Sequence, residues 1–149
     1  MDSVTESLFQ QARSSLKSPS LARRLAAGAY DGLLLLALLF AAAFAFIVLF
    51  GSAVEPPRRY AFQAYLLAVV AAYFTWFWIH GGQTLAMKTW RLRLVTASGG
   101  AVAVKTALLR FLLAFAGLAF FGAGWWWALF DREGCFLHDR IAGTRLVLT

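Results

Sequence analysis

RRLAAGAYDGLLLLALLF, Arg23 to Phe40, decides how the chain is read. The run Gly32–Val54 carries no charge over 23 residues. That is long enough to cross the roughly 30 Å of hydrocarbon in a bilayer. Asp31 stands at the mouth of this run, seven residues after Arg24. A charge at the centre of a membrane helix costs roughly 2.5–3.5 kcal/mol on insertion scales. Asp31 lies nearer the helix start, where the cost is lower, but a carboxylate facing lipid is still disfavoured. On one helix Arg24 and Asp31 share a face about 10 Å apart, too far for a direct ion pair. Each therefore needs a partner from another element.

The rest of the composition agrees with a lipid environment. The chain has 149 residues, enough for one compact domain, and is 61% hydrophobic and only 14% charged. The net charge of +7 sits beside apolar runs, as the rule for cytoplasmic loops requires. No nucleic-acid-binding module or continuous basic face is visible, so nucleic acid is excluded as a partner. Cys135 is the single cysteine, and with His80 and His138 far apart in sequence it makes no metal-ligand spacing. No phosphate-binding loop, nucleophile elbow or zinc helix is present, so no catalytic residue, metal or cofactor is expected, nor an enzyme.

Residues 1–20 form a polar N-terminal segment, interfacial or disordered, with Ser7–Leu16 a candidate short helix. Residues 21–149 form the membrane domain. Pro19 precedes the first long helix, with Ser18 or Ser20 as its cap. The length of the Gly32–Val54 run and of the polar part before it favour a retained span over a cleaved signal, although Gly51–Ala53 resembles a cleavage site. Glu55–Arg59 is a short loop, and Tyr60–Ile79 is a second span of 20 residues, making the two helices antiparallel neighbours. A third apolar stretch, Ala101–Phe130, ends in Trp125, Trp126 and Trp127, which suits an interfacial aromatic belt. The fold class is thus an all-α integral membrane protein with about three hydrophobic helical segments.

Charge counting bears on the third segment. With a cytoplasmic N-terminus, Arg13, Lys17, Arg23, Arg24, Lys88, Arg91, Arg93, Lys105 and Arg110 lie inside and Arg58 and Arg59 outside. A full third crossing would add Arg132, Arg140 and Arg145 to the outside, giving nine against five. A segment that bends at Gly122–Ala123–Gly124 and re-enters gives twelve against two, although its length allows only a shallow return. The bent, cytoplasmic-tail arrangement is preferred. Leu92 and Leu94 alternate with Arg91 and Arg93, and Leu146 and Leu148 alternate with Arg145 and Val147. On one side of the membrane these segments can pair as a small two-stranded sheet with the leucines on a common face.

Among the charges, Arg110 is the expected partner of Asp31, against the alternative that it snorkels to lipid phosphates. Asp139 is expected to accept from Arg24, against a solvated turn over Leu137–Arg140 that would include His138. Gly28 and Gly32 give a small-xxx-small strip for close approach of another helix.

Arg24, Asp31 and Asp139, in order with GGQTLAMKTWRLRLV (Gly81–Val95), Leu109–Arg110 and LHDRIAGT, resemble the RDD family of bacterial membrane proteins, named for one arginine and two aspartates. The likeness covers roughly Ala22 to Val147, with Ala86 standing where the family usually has a second glycine. It brings Gln83 and Thr84 into the candidate set. It implies a bacterial inner-membrane protein, while the multi-pass arrangement with a cytoplasmic N-terminus is expected from the spans and the charge count. Within the family, cation–proton antiport has been proposed for some members, and other relatives act as assembly partners. The favoured expectation is a structural or assembly module bound to a membrane-protein partner or to further copies of itself. The alternative is an oligomeric transporter with Asp31 holding a proton or monovalent cation. Asp31 is the one carboxylate at membrane depth, which weighs toward the structural class.

Overall fold

The computed structural model describes residues 2–15, 18–132 and 134–149. Leu16, Lys17, Glu133 and the side chain of Arg13 lie outside the described residues. Helix α1 covers Asp2–Ser15. Helix α2 runs Leu21–Phe50, a continuous 30 residues. Ser20 caps it by accepting from the Arg23 backbone N–H at 3.3 Å, and Gly51 ends it in a positive-φ conformation. Helix α3, Arg58–Ile79, returns antiparallel. The two helices meet through aromatic side chains: Phe46 lies 5.1 Å from Phe62 and 5.5 Å from Tyr65, ring centre to ring centre. Both are long and apolar enough to span a bilayer, and almost none of either apolar window is covered by protein. Phe40, Phe44 and Leu49 are correspondingly exposed, as side chains facing lipid should be.

Beyond α3 the chain builds a cap over one end of the helix pair. It consists of helix α4 (Leu85–Thr89), strand β1 (Leu92–Thr96), helix α7 (Leu137–Ala142) and strand β2 (Thr144–Leu148). The strands pair antiparallel, with Leu92 opposite Leu148 and Leu94 opposite Leu146. Side chains alternate across a strand, so the four leucines share one face, as expected from the alternation. Leu92, Leu94 and Leu146 enter the core with Ala27, Trp78, Met87, Ala107 and Phe111, and Leu148 packs against it. The opposite face carries Arg93 and Arg145 but also the buried Val95 and Val147, so it too is partly covered. The core therefore sits where the cap meets the helix ends.

Between the two strands lie helices α5 (Val104–Ala119) and α6 (Ala123–Phe130), bent by 95° at their junction. The bend falls at Phe120–Gly122, slightly ahead of the expected Gly122–Gly124. Phe121 and Gly122 take positive φ there, while Gly124 lies within α6. Gly117 and Gly124 bring the two backbones into contact: a side chain on Gly117 would lie 3.5 Å from Gly124 Cα. Because β2 pairs with β1, the α5–α6 unit leaves from and returns to the same face. The third segment is a bent helix pair that brings the chain back to the cap.

Candidate functional site

The polar groups gather where α2, α3 and α5 enter the cap. Asp31 lies ten residues into α2, about 15 Å along its axis. Its carboxylate accepts from Thr84 Oγ1 at 2.6 Å and from Tyr73 OH at 3.0 Å, and the backbone N–H of Ala86 reaches it as well. Thr84 is also the N-cap of α4, accepting from the Met87 N–H at 3.2 Å. Three donors from α3 and α4 thus replace the water that a buried carboxylate loses, and they tie α2 to both elements. This is why the chain tolerates an aspartate at the mouth of an apolar helix. The neighbouring Gln83 donates to the Leu92 carbonyl at 2.7 Å and fixes the loop against β1. Ala86, in the place of the usual glycine, is fully buried, so its methyl group fits without displacing the contact.

Arg110 is not the partner of Asp31. It projects from α5 toward α7, and its Nη2 and Nε reach Asp139 Oδ1 at 2.6 and 2.8 Å. The two side chains are 7% and 1% exposed, so this is a desolvated ion pair and not a lipid-phosphate contact. The Arg110 guanidinium also lies over the Trp78 ring, 4.3 Å from its centre, a cation–π contact that clamps α3 to the same point. Nor does Asp139 meet Arg24, since Arg110 already occupies it. Arg24 instead donates from Nη1 to the carbonyl of Gly134, in the loop before α7. The loop is closed by Asp131, which accepts from the Cys135 backbone N–H at 2.9 Å and pairs with Arg140 at 2.7 Å.

Leu137–Arg140 is helix and not a solvated turn, with His138 and Asp139 both buried. The stretch is held down because Asp139 must reach Arg110. Gly28 and Gly32 do not receive a helix. Gly28 faces the Trp125 indole, which a β-carbon there would meet at 3.3 Å, while Gly32 has open space beside it. Trp125 is consequently packed inward against Phe136, and of the three adjacent tryptophans Trp126 and Trp127 are the exposed ones. Sequence reading missed Tyr73, Trp78 and Trp125. A tyrosine inside an apolar span was the available signal for the first, because a buried phenol needs a hydrogen-bond partner.

Arg24, Asp31, Arg110 and His138 all border one cavity of about 400 Å³, whose remaining walls are apolar. His138 lies outside the spans. Burial lowers its pKa to about 4 from 6.5, helped by the charge of Arg110, while Asp139 opposes the shift. The folded value is below the unfolded one, so the unfolded chain binds the proton first as pH falls. Stability should therefore drop between pH 6.5 and about 4, by at most about 3 kcal/mol. Thermal unfolding in detergent across this range checks it: His138→Gln should flatten the profile, and an unchanged profile would count against the shift.

Among the described residues, no group of three His, Cys, Asp or Glu side chains gathers as a metal site would require. No curated protein and no solved structure matches the chain. The segment 18–143 does match a family model, that of the RDD family, and it contains Arg24, Asp31, Asp139 and each of their contacts. With its apolar helices and this match over most of its length, the chain is a membrane protein that belongs to the RDD family.

Proposed function

We propose that this chain is a non-enzymatic structural or assembly module of the bacterial inner membrane. The observation that supports it is the inward use of the three name-giving residues. Asp31 binds α3 and α4, Asp139 binds α5, and Arg24 binds the loop before α7. Each spends its polarity on fastening the cap to the helices. The long apolar faces of α2 and α3 are then free for lipid, further copies of the chain, or a membrane-protein partner.

One observation favours the second reading, transport by an oligomer: Asp31 borders the cavity, within reach of a proton or monovalent cation. Reconstitution into vesicles with an imposed proton or sodium gradient separates the two. The structural reading expects no dissipation above empty vesicles, and a lower folded yield for Asp31→Asn, whose amide must present a donor to one of three donors. A gradient that collapses with wild type, and persists with a normally folded Asp31→Asn, would overturn it.

The orientation we infer has the cap and both termini in the cytoplasm, supported by the charge distribution of twelve against two. Reporters placed at Ser98 and after Thr149 should both read cytoplasmic, and one near Pro57 should read the opposite side. Opposite readings at Ser98 and Thr149 would contradict the re-entrant fold itself.

A further inference from the structure

Helices α2 and α5 both pack on α3 but scarcely on each other. The cavity of about 400 Å³ is the cleft that this leaves. Its floor is α3, with Val70, Phe74 and Trp78. Helix α2 borders it from Gly28 to Leu35 and α5 from Phe111 to Leu118, about two turns of each. Trp125, seated on Gly28, stands at the cap end. The other end is open: Gly32 has free space beside it, and Leu118 is 62% exposed. Both residues stand in the apolar parts of their helices, so the mouth opens sideways into hydrocarbon.

The walls of the cleft are almost wholly apolar. The charges at its border offset one another: Arg24 by Asp31, whose three donors are neutral, and Arg110 by Asp139. His138 is uncharged at neutral pH. The cleft therefore has no preference for a charged occupant. Water inside it would find too few hydrogen-bond partners. Left empty, it would deprive its lining of contacts. The neutral, apolar material at its mouth is the hydrocarbon of the bilayer.

We propose that the cleft between α2 and α5 holds one acyl chain of a bilayer lipid, which enters between Gly32 and Leu118 and lies on Phe74 and Phe111. The headgroup stays outside, so the site reads the chain and not the headgroup. A helix from a second copy is the other apolar group within reach. With its side chains a helix is about 10 Å across and fills roughly 800 Å³ over two turns, twice the space in the cleft.

The test uses the full chain in nanodiscs of phosphatidylcholine that carries a diazirine midway along one acyl chain. After photolysis, the labelled positions are mapped by peptide mass spectrometry. Phe40 and Phe44 are exposed to bulk lipid and serve as the reference. Phe111, only 7% exposed, and Phe74 should be labelled as well. Gly32→Leu, which places a side chain in the open space at the mouth, should reduce this floor label to background and leave the reference label unchanged. Ala114→Phe, which fills the middle of the cleft, should do the same and keeps the test decisive if one variant does not fold. Phosphatidylglycerol carrying the same chain should label the floor equally. No floor label in wild type, floor label that survives in a folded Gly32→Leu or Ala114→Phe, or floor label that depends on the headgroup would overturn the proposal. So would an unlabelled floor with Gly32→Cys cross-linking to its counterpart, which would assign the cleft to a second copy.

Discussion

Asp139→Ala should cost about 3–5 kcal/mol, the penalty for removing one partner of a buried ion pair. Most folded domains have only about 5–15 kcal/mol in hand, so a large fall in folded yield is expected. The reason is local. Arg110 would keep its place on α5, 7% exposed, with its acceptor gone. The Trp78 ring attracts the guanidinium face but accepts no N–H in the plane, so it does not substitute. The loss should appear as a lower unfolding temperature and a smaller monodisperse fraction in mild detergent. A variant close to wild type on both would mean that the pair is incidental to folding.

The second large effect belongs to Gly82. This residue takes φ +70°, and a β-carbon there would lie 2.4 Å from the Leu94 carbonyl oxygen. The backbone hydrogen bond from the Leu94 N–H to the Gly82 carbonyl, at 2.7 Å, requires that approach. Gly82→Ala should cost about 2–4 kcal/mol, of which roughly 1–2 is the left-handed conformation and the rest a displaced hydrogen bond at β1. Gly143→Ala is the matched comparison. Its φ is +68° with nothing within 4 Å, so only the conformational part should appear. Equal losses at the two positions would show that the contact with Leu94 is not what restricts Gly82.

The spans were legible because uninterrupted apolar length is a direct consequence of bilayer thickness. The sheet was legible for an equally simple reason. A period of two places Leu92 and Leu94 on one side of their strand and Leu146 and Leu148 on one side of theirs, and pairing the strands puts all four on a single face that can be covered together. That pairing in turn forces α5–α6 to return, in agreement with the charge count. The polar partners were not legible. Sequence shows that Asp31, Asp139, Arg24 and Arg110 must be compensated, but pairing is decided by which helices pack. The packing of α5 against α7 gave Arg110 to Asp139, and left Asp31 to two hydroxyls and a backbone amide. Hydroxyl donors such as Tyr73 and Thr84 carry no charge pattern to announce them. Gly28 likewise announced a close approach without saying that the approaching group is the Trp125 ring and not a helix.

The Arg110–Asp139 pair fastens α5 to α7, and its coupling energy is the direct test of whether these charges hold the cap in place. Arg110→Leu, Asp139→Ala and the double variant form the cycle, with unfolding followed in the same detergent. Two contacting residues in one buried pair should couple by about 1–3 kcal/mol, and the double variant should be more stable than Asp139→Ala alone. Losses that simply add, within about 0.5 kcal/mol, would contradict the role assigned to the pair.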